Sequence, residues 1–162
     1  MRLDRLEELR KLLNSFVDYQ VILPHNDVKA PAKYAVLGIV NIDKSVFNTP
    51  RKIDNIKVTF LSVTALLQLD FYSKDQLEAQ KMCIDMINKL IYINRKDLIR
   101  AGFGLKEKSI DFQNLTFIEN SKYIYRFSFD VNITWNEEVA RNVTIIEDVP
   151  GIKYENEENE RR

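Results

Sequence analysis

The stretch Val58-Thr59-Phe60-Leu61-Ser62-Val63-Thr64-Ala65-Leu66-Leu67-Gln68-Leu69-Asp70-Phe71-Tyr72 repeats with a period of two. Successive side chains of an extended strand point to opposite faces. Leu61, Val63, Ala65, Leu67, Leu69 and Phe71 therefore share one face, which must meet a core. Phe60, Ser62, Thr64, Leu66, Gln68, Asp70 and Tyr72 share the other, a mixed surface suited to water or to another protein. Ser73-Lys74-Asp75-Gln76 follows with the spacing of a capping box, Ser73 as N-cap and Gln76 reaching back, with Tyr72 and Leu77 placed as a hydrophobic staple. Asp75 suits the positive end of the helix dipole. The helix beyond carries Ala79, Met82, Cys83, Met86, Ile87 and Leu90 on one broad face and runs to about Ile93. Arg95 to Ala101 adds a short second helix, ended by Gly102.

Towards the amino terminus, Tyr34 to Ile42 reads as a short buried strand and residues 43 to 56 as a loop. That loop holds Pro50 and Asn55 but also Val46, Phe47, Ile53 and Ile56, apolar content that marks a connection with a task. Pro24 and Pro31 bracket a polar loop. Leu3, Leu6, Leu9, Leu13 and Phe16 recur at spacings of three and four, giving an amphipathic helix that closes over the core or docks on a neighbouring subunit.

Towards the carboxyl terminus, Ile110, Phe112, Leu115, Phe117 and Ile118 suggest one strand with a bulge near Gln113-Asn114, and Asn120-Ser121 a turn. Tyr123, Tyr125, Phe127, Phe129, Val131, Ile133 and Trp135 then alternate without error against polar residues. A further strand is expected over Ala140 to Val149, ended by Pro150-Gly151. The expected fold class is α+β: one domain over residues 1–150, a mostly antiparallel or mixed sheet, a long helix packed on one face and an N-terminal amphipathic helix. Residues 151–162 form an acidic tail expected to be disordered.

Composition narrows the function. The chain has 162 residues, 45% of them hydrophobic, enough for one domain with a sizeable core. Its 24 basic and 24 acidic side chains cancel, unlike the basic excess of a dedicated nucleic-acid binder. The single cysteine, Cys83, cannot form an intramolecular disulfide. The charged start Met1-Arg2-Leu3-Asp4-Arg5 lacks the apolar region of a signal peptide, and no run is long enough to span a bilayer. A soluble intracellular domain is expected.

Chemistry-bearing patterns are sparse. His25, the only histidine, sits in the Pro-flanked loop with no partner cluster. Cys83 belongs to an apolar helix face, where a thiol acts as a small hydrophobe. There is no zinc spacing and no calcium loop, so no cofactor or metal is expected. Gly102-Phe103-Gly104 lacks the third glycine and the strand-before-helix order of a dinucleotide cradle, and a helix end followed by a strand start accounts for it. The triplets at Asn114, Asn132 and Asn142 read as chance, and Arg95, Lys96, Arg100, Lys106 and Lys108 as a solvated basic face.

The order of elements is more informative. Leu67 to Ser73 leads into a long helix with Ala79, a Gly-x-Gly turn, the strand Tyr125 to Asn132, and the closing segment Asn142 to Val149. Over roughly residues 30 to 150 this order resembles the neck or tail terminator proteins of tailed phages and of phage-like contractile particles. The resemblance implies a non-enzymatic virion protein at the tail or neck, assembled in the host cytoplasm. It would form a homo-oligomeric ring, commonly a hexamer, that caps the tail tube, stops its polymerisation and offers a head-joining surface. Its partners would be copies of itself, the tail tube protein, and sheath and head-completion or connector proteins. No membrane is implied, and DNA enters only as cargo passing through the lumen.

A ring subunit needs two different complementary surfaces joined head to tail. The expected subunit interface comprises Val46, Phe47, Arg51 and Ile53 in the apolar loop and Gln68, Asp70 and Tyr72 on the mixed strand face. Three other readings compete. One is a different head–tail connector or tail-completion protein. The second is a nucleic-acid module stacking bases on Tyr123, Tyr125, Phe127 and Phe129 beside Lys122 and Arg126. The third is an enzyme using paired carboxylates in a pocket.

Overall fold

The computed structural model describes residues 3–24, 31–46, 51–53, 56–107, 109–119 and 122–142. Helix α1 (Leu3–Phe16) precedes strands β1 (Gln20–Ile22), β2 (Lys33–Val46), β3 (Arg51–Ile53) and β4 (Ile56–Ser73). Helix α2 (Gln76–Asn88) continues through a π-helical turn at Lys89–Ile93 to α3 (Arg95–Arg100). Strands β5 (Gly104–Leu105), β6 (Phe112–Asn114), β7 (Phe117–Glu119) and β8 (Lys122–Asn142) complete the order. The sheet is mixed. Its path is β1-β2-β4-β8-β5, with β3 beside β4 and β6 and β7 beside β8; only β1–β2 is parallel.

Register builds the core. Val63 pairs with Trp135, Ala65 with Ile133, Leu67 with Val131, Leu69 with Phe129 and Phe71 with Phe127, while Ala35 and Leu37 of β2 face Phe71 and Leu69. All are buried, and the helices cover this face alone, contributing Leu6, Leu9 and Leu13 from α1 and Ala79, Met82, Cys83 and Met86 from α2. The α1 stripe therefore closes over the chain's own core. Tyr19 fastens the layers: its ring meets Phe71 edge-on at 6.2 Å and its hydroxyl donates to the Met82 carbonyl at 3.1 Å. Burial pushes that phenol's pKa up.

Several elements differ from the sequence expectation. Strand β1 was not foreseen. It forms because the Asn14 side chain takes the Val21 amide on its Oδ1 (2.6 Å) and, with Arg10, donates to the Val21 carbonyl. Strand β2 runs four residues into the expected 43–56 loop, and Arg51–Ile53 of that loop is a strand on β4. A bulge between Ile39 and Asn41 shifts the phase of β2, so Ile42 faces Ala65 and Val46 faces Leu61 on the core side, while Val40 turns outward.

The α2 N-cap is Asp75, not Ser73: its carboxylate accepts from the Glu78 amide at 2.8 Å. The Ser73 hydroxyl accepts from the Asp75 amide and donates to the Glu78 carboxylate, so Glu78, not Gln76, reaches back. Leu77 is exposed, and the expected staple with Tyr72 does not form. The single strand expected around Phe112–Ile118 is two short ones, separated where the Asn114 side chain accepts from the Thr116 amide. Strand β8 is continuous through Asn142, so Ala140 begins no new strand. The expected stretch 143–149, the Asn120-Ser121 turn and the acidic tail lie outside the described residues.

The helix ends as expected at Gly102. The amides of Gly102 and Phe103 bond back to the Ile99 and Leu98 carbonyls, a Schellman closure that needs the left-handed φ of +82° at Gly102. Leu98 and Phe103, both buried, supply its hydrophobic contact. Gly104 begins β5 directly against Thr134, whose Oγ1 donates to its carbonyl at 3.3 Å.

At the far end of the long strands, Lys44 of β2 reaches across β4 to Glu137 of β8 at 2.8 Å. That bond, together with the Trp135 Nε1–H, holds the Glu137 carboxyl below its ordinary value. Its stabilisation is complete above the ordinary value of 4.5 and disappears as pH falls through the lower folded value. Urea midpoints of wild type should fall over this acid range more steeply than those of Lys44→Met; equal slopes would remove the ion pair from the account. Adding a Cβ at Gly104 collides with Thr134 Oγ1. Gly104→Ala should therefore cost about 1–3 kcal/mol, and Thr134→Ala in the same chain should recover most of it in a double-mutant cycle. Leu67→Ala, deep in the ladder, should cost about 2–5 kcal/mol by the same measurement.

Candidate assembly surfaces

The face of the sheet opposite the helices carries the mixed side chains of β4, in rows set by register. Tyr34, Tyr72 and Arg126 form one row, Val36, Asp70 and Ser128 the next, and Gly38, Gln68 and Asp130 a third. The first two rows lock together. Tyr34 and Tyr72 stack at 5.0 Å with ring planes 14° apart, and the Arg126 guanidinium lies 5.9 Å from the Tyr72 ring centroid. Arg126 binds Asp70 through Nε at 3.1 Å and through Nη2 to both carboxylate oxygens at 2.9 and 3.0 Å. Charge-assisted, forked pairing of this kind holds side chains in one geometry. Burial, with the nearby Asp70 charge second, raises the Tyr72 pKa. The Ser128 hydroxyl beneath is buried and has no hydrogen-bond partner among the described residues.

Gln68, Asp70 and Tyr72 thus lie on one face, as the alternation requires. Asp70 is engaged by Arg126, and Tyr72 is held between Tyr34 and Arg126, so this end of the face is preorganised. Arg126 was named only as a neighbour of stacking aromatics; without the register, nothing in the sequence ties it to Asp70. Val46 lies elsewhere. It pairs with Leu61, whereas Tyr72 pairs with Tyr34, a displacement of about 35 Å along β4 at ~3.3 Å per residue. It also sits on the other side of the sheet and is 63% exposed. Arg51 and Ile53 are in β3 beside Val58 and Ile56, with side chains outside the described set; Phe47 is outside it altogether. The structure therefore divides the expected interface between two regions.

The aromatic platform of the nucleic-acid reading is split between core and surface. Phe127 and Phe129 are core residues, Phe129 stacking on Phe71 at 5.6 Å. Tyr123 is exposed and lies parallel to Tyr125 at 6.0 Å, at the margin of the sheet. Arg95 of the basic face donates to the Leu105 carbonyl, and Arg100 pairs with Asp97.

The carboxylates lining a cleft of about 500 Å³ between α1 and the far end of the sheet are largely committed: Glu8 to Arg5 at 2.5 Å and Glu137 to Lys44. Cys83 is buried, which pushes its thiol up to about 12 and leaves it un-ionised at neutral pH. Among the described residues, no group of three or more His, Cys, Asp or Glu side chains is placed to hold a metal ion. None of their helices is long and apolar enough to cross a membrane. His25 lies outside the described residues.

Comparison with curated proteins gave no match. The family model described as phage neck terminator protein matches residues 7–159, nearly the whole chain and the whole of the sheet described above. This is a family of structural virion proteins rather than enzymes. A mixed sheet with the described helices on one face and a partly preorganised second face thus belongs to a protein of the phage neck, and the chain is a member of the phage neck terminator family.

Proposed function

We propose that the protein closes into a ring, six copies as the family resemblance suggests, that sits on the end of a completed tail tube. The ring ends tube polymerisation and presents its other side to head-completion or connector proteins, and to a sheath where the tail is contractile. It acts by contact and carries out no chemistry; DNA passes through its lumen as cargo. The match to the neck terminator family over residues 7–159 carries this reading. The fold is compatible with it. A closed ring requires two unlike surfaces on each subunit; among the described residues the chain offers an uncovered sheet face around Gln68, Asp70 and Tyr72 and, remote from it, the end of β2 at Val46 with the backbone of Arg51 and Ile53 in β3. Both belong to the proposed interface, the first as a rigid patch and the second as the segment reaching to a neighbour.

Electron microscopy of the purified protein with and without tail tubes tests this. Rings should appear on tube ends, and added protein should halt elongation of a polymerising tube protein. Tubes that lengthen unchanged, with bare ends, would end the terminator assignment. Phe47→Ser with Ile53→Ser should abolish rings while leaving the monomer folded, as read by circular dichroism and a cooperative urea transition. Rings that persist in that variant would remove the segment from the contact.

A further inference from the structure

The core cluster stops at the Val63–Trp135 row, yet β4 and β8 continue past it to Ile56 and Asn142. Beyond that row Val58 is still buried, but Val46 is 63% exposed, Val139 45% and Ile56 41%. There the sheet is a ribbon three strands wide, β4 flanked by β8 on one side and by β2 or β3 on the other. Among the described residues this ribbon also has open edges. Strand β1 covers β2 only at Tyr34–Val36, and β5 covers β8 only as far as Thr134. Among the described residues, the outer edge of β2 from Leu37 to Val46 and that of β8 from Asn136 to Asn142 have no strand partner. Unpaired edges are templates for another chain.

We propose that the second copy in the ring supplies the missing strand: the edge Asn136–Asn142 of one subunit pairs with the edge Asn41–Val46 of the next. This rests on the ring reading above and adds, beside the face around Gln68, Asp70 and Tyr72, a contact between strand edges and its polarity. Edges on opposite sides of one sheet are two unlike surfaces, which is what a head-to-tail interface needs. Strands β2 and β8 are both antiparallel to β4 and so run in the same direction. Rotation about an axis roughly along the strands preserves direction, so the pairing between subunits is parallel. The bulge at Val40 interrupts the β2 edge and confines pairing to the run after it. The two edges are offset along β4, one beside Leu66–Leu61 and the other beside Ser62–Ile56, and a closed sheet requires such a stagger.

Cysteine pairs in the full chain test the contact. Ser45→Cys is combined in turn with Asn136→Cys, Glu138→Cys and Ala140→Cys. Within one copy β4 separates the two strands, placing Asn136 about 10 Å from Ser45 and Glu138 and Ala140 farther still, beyond the ~7 Å that a disulfide spans. Buried Cys83 takes no part. Oxidation of assembled protein should give a ladder of covalent oligomers ending at the ring's copy number with at least one pair, and none with either single cysteine. Rings by microscopy without a ladder from any pair would overturn the edge pairing and leave the ring intact. Dimers from Ser45→Cys alone would replace it with a two-fold β2–β2 contact. Absence of wild-type rings even on tube ends would overturn the ring reading and this pairing with it.

Discussion

The hydrogen-bonded ladder between β4 and β8 is the constraint on which the rest of the molecule depends. Every residue of β4, from Ile56 to Ser73, has a partner on β8 in one unbroken register. A slip of one residue would turn the whole apolar set to the wrong side, so the burial of Phe71, Leu69, Leu67, Ala65 and Val63 against Phe127, Phe129, Val131, Ile133 and Trp135 fixes the pairing as firmly as the backbone bonds do. The helices then have one place to go. The same register puts Asp70 within reach of Arg126 and sets Tyr72 between Tyr34 and the guanidinium. Core and open face are two readings of a single alignment.

Much of this was legible because alternation survives in β4 and β8 with little interruption. The α2 face from Ala79 to Leu90 and the stop at Gly102 were equally readable, since apolar spacing and a left-handed cap are local signals. What escaped depended on partners distant in sequence. Strand β1 exists through the Asn14 side chain, which no strand propensity reports. The bulge at Val40 hides the second half of β2 by reversing its phase, so Asp43 to Val46 look like a loop. Glu137 and Glu138 similarly disguise the continuation of β8, although Glu137 is held by Lys44 and Trp135. The N-cap was misplaced by two residues because Ser73 and Asp75 are both good caps, and only the path of the chain chooses between them.

Surfaces were less legible than the core. Alternation could say that Gln68, Asp70 and Tyr72 share a face, but not that Arg126 already occupies Asp70. Apolar residues at 43–56 drew attention to that stretch of chain without revealing that part of it is strand. Membership of the neck terminator family supplies the biological setting, and geometry supplies two separated regions with different character: one rigid and aromatic, the other, among the described residues, built of strand ends without partners on their outer edges.

The long ladder also governs how the protein is made. Its two halves are separated in the chain by both later helices and three short strands, so the centre of the sheet closes only after β8 has left the ribosome. Helices α2 and α3 can form early from neighbouring residues, but β4 must wait with its apolar side uncovered. Nonlocal pairing of this kind slows folding and prolongs exposure to wrong partners. During synthesis of many copies in one cell, the danger lies in a nascent β4 meeting the β8 of another chain before its own, a domain swap that would satisfy every bond of the sheet and still yield the wrong object.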